Sequence, residues 1–191
     1  MATQLKEIYL TFDDGPVPGP TDFVLDTLKQ YDAKATFFCI GDNIQKHPDV
    51  FRNIVDNGHA IGNHTFNHVN GWRTSSEMYR ENVTRCNDII NSMTERPNPL
   101  NLFRPPYGRI TRQQINMLDN YKIIMWDVLS IDYDKALRPE KCLARTIHAA
   151  RPGSIVVFHD SHKAQHNLMY VLPRFIDHYS SRGFIFKAIQ D

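Results

Sequence analysis

The chain has 191 residues, 41% of them hydrophobic and 23% charged, with 22 basic against 21 acidic side chains. That length fits one domain, residues 1–191, with a full hydrophobic core. A net charge of +1 gives no support for nucleic acid or a membrane surface as partner, and no apolar run is long enough to span a bilayer. The first residues lack the apolar core of a signal peptide. This predicts a cytoplasmic protein, or one whose leader is absent from this sequence. Cys39, Cys86 and Cys142 form no paired motif, and at least one must be unpaired, which favours a reducing compartment.

Glu7 to Phe12 is β-branched, aromatic and apolar, and reads as a strand. It runs into Asp13-Asp14-Gly15-Pro16, which cannot continue it. Helical spacing follows over Thr21–Tyr31, a buried strand over Ala35–Ile40, and a helix over Asn43–Asn57 that Gly58 stops. His59–Gly62 is a short strand. Thr74-Ser75-Ser76-Glu77 has the pattern of a capping box and opens a helix to about Met93. Leu100–Arg104 reads as a strand, and Thr111 to Gln114 as a second capping box for a helix ending at Asn120. Lys122–Trp126 is a strand, Pro139 opens a helix to about Ala150, and Ser154–Phe158 is a strand. Leu168, Val171, Leu172, Phe175, Ile176 and Tyr179 mark an amphipathic helix around Pro173. Phe184–Ala188 closes the chain as a strand. Alternation of about seven strands with about six helices predicts a mainly parallel α/β sheet. An irregular (β/α) barrel and an open doubly wound sheet both fit.

Chemistry collects at the predicted C-terminal ends of strands, where parallel α/β folds build their sites. Asp13 and Asp14 follow the first strand. Two crowded carboxylates divide their roles around a cation or a proton. His64 and His68 follow the third strand, four residues apart, so that in a helical turn both imidazoles face one metal. With Asp14 as third ligand, the set leaves positions open for water and substrate, as catalytic zinc sites do. His47, His59, His148, His162, His166 and His178 have no such spacing and read as surface or cap residues. Arg104 ends the fourth strand and can hold a carboxylate such as Asp13 ionised. The N–H groups of Tyr107 and Gly108 behind it can serve an oxyanion. Asp127 and Asp132 follow the fifth strand, and His159 and Asp160 the sixth. Period two places Ile155, Val157 and His159 on one face, with Val157 as an apolar wall beside the imidazole. Each feature has a structural alternative: turn aspartates, surface histidines, a surface arginine pair, a satisfied core histidine.

Together these residues resemble the polysaccharide deacetylases, the NodB-homology or carbohydrate esterase family four group. T-F-D-D-G-P at Thr11 to Pro16, H-T-F-N-H at His64 to His68 and R-P-P-Y-G at Arg104 to Gly108 are similar to its first three motifs. Trp126 to Tyr133 resembles a degenerate fourth motif, and Val157 to Asp160 the fifth. The resemblance implies a distorted (β/α) barrel and metal-dependent hydrolysis of acetyl groups from N-acetylated carbohydrates. It implies one divalent metal, zinc foremost with cobalt or nickel as substitutes, on Asp14, His64 and His68, and a metal-bound water as nucleophile. It implies Asp13 as general base partnered by Arg104, and His159 as general acid oriented by Asp132. Asp127 and Asp160 are the alternative partners of His159. The Tyr107 backbone would serve the oxyanion, and Trp126, Tyr133 and Val157 would shape the substrate pocket. Leu129 stands where the fourth motif usually has its first aspartate, Tyr133 where it has tryptophan, and Val157 where the fifth has leucine. These departures bear on substrate choice.

Two other classes compete. A metal-dependent phosphoester hydrolase would want a second metal or a basic phosphate clamp, and only Arg104 is placed for one. A non-catalytic carbohydrate-binding module should have lost Asp13 or His159. Short connections after most strands predict a small or oligomeric substrate rather than a long polymer.

Overall fold

The computed structural model describes residues 5–94 and 101–190. Its centre is β1 (Glu7–Asp13), whose Ile8, Leu10 and Phe12 are fully buried. Burying each contributes about 2 kcal/mol. These side chains pack with α1 (Pro20–Gln30) and α7 (Gln165–Ser180) in the main core. On the opposite face Thr11 and Asp13 are also buried, but against polar partners inside the curl of the sheet.

All strand pairs are parallel. Beyond β1 lie β2 (Thr36–Cys39), β3 (Ala60–Asn63), β4 (Leu102–Phe103) and β5 (Lys122–Ile123) on one side. On the other lie β7 (Ile155–His159) and then β6 (Val128–Leu129). Seven strands thus form a curled half-barrel, and β8 (Ile185–Lys187) pairs with the first residues of β1. The predicted distorted barrel of about seven parallel strands is this half-barrel; the open doubly wound alternative is not. Among the described residues, β5 and β6 end the path without pairing to each other.

Several predicted boundaries move. The single helix expected over residues 43–57 is two, α2 (Gly41–Lys46) and α3 (Pro48–Asp56). Pro48 has no N–H for the helix before it but suits the first position of a new one. The expected box at Thr74 is a simpler cap: Ser75 Oγ accepts from Met78 N to open α4 (Ser76–Met93). Thr111 does form a capping box with Gln114, but its helix α5 (Arg112–Met117) ends early. Leu100 lies outside the described residues, and β4 begins at Leu102. The expected strand 122–126 stops at Ile123, and Val128–Leu129 is a further strand. α6 (Pro139–Ala149) follows as expected, and Pro173 sits inside a continuous α7. The Tyr179 hydroxyl of α7 donates to Ile147 O on α6. His59 is half-buried and accepts from Ala35 N through Nδ1, so it is neither a surface nor a cap residue. All three cysteines are free and buried.

Candidate active site

Strand register assembles the site. Asp13 at the end of β1 lies opposite His159 at the end of β7. Across the other edge, Asn63 of β3 pairs with Phe103 of β4, so the next residues, His64 and Arg104, emerge together. Leu129 of β6 pairs with Val157 of β7, and the chain then turns Asp132 under His159. A cavity of about 420 Å³ opens over this rim. Asp13, Asp14, His64, His68, Tyr107, Trp126, Tyr133, Val157 and His159 all line it.

Asp14, His64 and His68 offer ligand atoms within 4.8 Å of one another. His68 Nε2 is 3.2 Å and His64 Nε2 3.8 Å from Asp14 Oδ1. They do not sit on a helical turn, as the spacing suggested. Residues 64–68 form an irregular loop in which Thr65 and His68 have φ of 63° and 53°, and Asp14 has φ of 80°. Left-handed backbone at non-glycine residues is strained and clusters at functional sites. Burial of His64 pushes its pKa down to about 4, so it is neutral. Its Nδ1 lies 2.8 Å from the Arg104 carbonyl, which can only accept. Nδ1 therefore carries the proton, and Nε2 presents a lone pair toward Asp14. Burial opposes the charge of Asp14, but a hydrogen bond from His68 and the nearby His159 and His64 hold its pKa well below the carboxylate range. Two imidazoles and one ionised carboxylate, with an orienting partner behind a ligand, fit a divalent metal of zinc type.

Asp13 is anchored by Arg104, whose Nη1 donates to Asp13 Oδ1 at 2.8 Å and to Thr11 Oγ1 at 2.7 Å. Nε and Nη2 donate to Ile124 O and Met125 O, and the guanidinium lies 4.1 Å from the Phe38 ring centroid. Arg104 is fully buried, so it is a structural plug of the half-barrel as well as a counter-ion. Asp13 Oδ2 remains free of this bond and stands 4.0 Å from His64 Nε2.

Across the cavity, His159 Nδ1 donates to Asp132 Oδ1 at 2.7 Å, and the His159 backbone N donates to Asp132 Oδ2 at 2.8 Å. Burial disfavours the imidazolium, but the Asp132 charge and hydrogen bond outweigh it and raise the His159 pKa to about 9. The two alternative partners are occupied elsewhere. Asp127 precedes β6 and accepts from Ile155 N. Asp160 accepts from Gly15 N and from Thr21 Oγ1, behind the site. Burial with no cation raises the Asp160 pKa to about 8. A Cβ at Gly15 would stand 2.0 Å from Asp160 Oδ2, so only glycine fits that turn.

The R-P-P-Y-G segment forms a short turn in which Tyr107 has φ of 60°. Gly108 N is bonded to Pro105 O, which withdraws one of the two donors expected for an oxyanion and leaves the Tyr107 N–H as candidate. A Cβ at Gly108 would meet Trp126 at 2.8 Å, so this glycine lets the indole close over the turn. The Tyr107 hydroxyl reaches His68 Nδ1 at 3.1 Å, and the Tyr133 ring lies 4.9 Å edge-on to His159. Pro105, Leu129 and Lys163 also line the cavity. Of these, Lys163 was not foreseen, because it belongs to no motif and reaches the site from the loop after β7.

A parallel half-barrel with its polar groups at the strand ends, opposed Asp–Arg and Asp–His pairs and an Asp-His-His cluster defines a class. The chain matches the polysaccharide deacetylase family over residues 1–126 and belongs to it. Two Bacillus cereus peptidoglycan-N-acetylglucosamine deacetylases are 34% identical over 157 residues and 31% identical over 190 residues. The matches cover 81% of this chain and 56% of the first, and 97% of this chain and 87% of the second. A chitooligosaccharide deacetylase of Azorhizobium caulinodans is 36% identical over 81% of this chain and 74% of its own length. Among solved structures, a peptidoglycan N-acetylglucosamine deacetylase bound to an N-oxidanyl-benzamide superposes with a TM-score of 0.90 at 30% identity. That match covers 97% of this chain and 86% of the other. A Bacillus anthracis pseudoenzyme of the same esterase family gives 0.86 at 27% identity, over 97% and 64%.

Proposed function

We propose that this chain is a metal-dependent hydrolase that removes acetyl groups from N-acetylated carbohydrates. A pseudoenzyme shares the fold, so family membership alone does not carry activity. The observation that carries it is the pair of opposed proton-handling groups, Asp13 at β1 and His159 at β7, facing one cavity beside the Asp-His-His cluster.

Asp14, His64 and His68 would hold a divalent cation, zinc first. When bound, it supplies Lewis acidity toward an amide carbonyl and lowers the pKa of a water. The rest is work for this chain's own residues. Asp13, anchored by Arg104, accepts the attacking water's proton at its free Oδ2. The Tyr107 N–H donates to the oxygen that gains charge. His159, charged at neutral pH because of Asp132, gives the Nε2 proton to the amine as the C–N bond breaks and acetate leaves. Leu129, Val157 and Trp126 give the acetyl methyl an apolar wall.

The test is acetate release by the metal-loaded protein from short N-acetylated oligosaccharides, peptidoglycan and chitin, beside metal content of the parent and of His64→Ala. We expect release that depends on added metal, faster on short oligomers, and metal content well below the parent's in His64→Ala. No acetate from any N-acetylated glycan overturns the reading. Full metal retention in His64→Ala overturns the ligand set, and faster turnover of polymer overturns the expectation of a small substrate.

A further inference from the structure

A second cavity, about 530 Å³, adjoins the first. Lys163 lines both. Around the second cavity stand Lys135, His162 and His166, and its one acid is Asp132, whose two oxygens are both taken by His159. Among the described residues no ion pair involves Lys163 or Lys135. The Lys163 ammonium lies 5.0 Å from the Tyr133 ring centroid, and that ring in turn packs on His159. A flexible lysine is thereby steered over the mouth of the active-site cavity.

The other charges of that cavity are already committed: Asp13 to Arg104, Asp14 to the two histidines and His159 to Asp132. Leu129 lines the wall where the family's fourth motif usually carries an aspartate, so no anion there repels a negative ligand.

We propose that Lys163, backed by Lys135, His162 and His166, is a specificity residue that binds a carboxylate substituent on the N-acetylated sugar in the active-site cavity. This rests on the deacetylase reading. Lys163 presents a compact point charge to the catalytic cavity, which suits a carboxylate.

The experiment compares kcat/KM on oligomers of N-acetylglucosamine with kcat/KM on oligomers of equal length containing carboxylate-bearing N-acetylmuramic acid. The parent should favour the carboxylate-bearing oligomer, and added salt should reduce the preference. Lys163→Gln should lower the specificity ratio about tenfold, the size of one charge-assisted hydrogen bond. Lys163→Arg should restore most of it. A parent without preference, or a ratio unmoved in Lys163→Gln, overturns the proposal while the deacetylase reading stands. A parent inert on both oligomers overturns the proposal, and the deacetylase reading falls with it only if no other N-acetylated glycan yields acetate.

Discussion

Asp13 and Asp132 are both buried carboxylates at strand ends, each paired with a cation, yet their partners differ in kind. Arg104 keeps its charge at every relevant pH, so Asp13 always faces a cation. His159 can lose its proton, so its pair is a reservoir whose filling depends on pH. Asp160 is the control: buried with only neutral donors, its pKa is driven up to about 8. The same residue type thus becomes the partner of a fixed cation, the partner of a titratable one or a structural acceptor according to what it faces. Burial alone raises a carboxylate pKa; a fixed cation offsets that.

Removing the proposed base should have the largest effect. Asp13→Asn keeps shape and metal site but cannot take a proton, and should lower kcat on the order of 10³-fold. Acetate release and metal content check it; near-parental kcat would return the base to another group.

Next comes the fixed cation. Arg104→Met leaves Asp13 buried without a counter-ion and should cost about 3 kcal/mol of stability, read by denaturant unfolding. A neutral outcome would mean the pair contributes no more than an apolar plug. Asp132→Asn should leave stability near neutral pH less affected.

The smallest effect sharpens the other side. With the His159 pKa at about 9, the basic limb of the pH–rate profile should lie near that value. In Asp132→Asn it should fall by more than one unit, because imidazolium loses its partner. The linkage has the same sign: His159 binds its proton more tightly folded than unfolded. Its contribution to stability is therefore complete below about 6.5 and lost as pH rises through about 9. A basic limb unmoved in Asp132→Asn would separate His159 from acid catalysis.

Most of the site was legible in local sequence. Each motif sits where an apolar strand ends, and in a parallel sheet those ends share one rim. Asp13, Asp14, His64, His68, Arg104 and His159 could therefore be placed together without knowing the sheet order. The half-barrel itself was less legible, because β4, β5 and β6 each have two residues, too few for any period to register. The break at Pro48 was locally visible; the expected helix ran through it because apolar spacing continued on both sides. The family resemblance favoured Asp132 as the partner of His159, the residues alone left Asp127 and Asp160 open, and the tertiary structure decided among them. Asp127, Asp132 and Asp160 are equivalent by composition, and the Leu129–Val157 register brings Asp132 to the ring. It also decided that His64 and His68 converge through left-handed residues rather than a helical turn, and that Lys163 enters the cavity. Register and backbone hand are set by long-range pairing, which acts between residues that no local window contains.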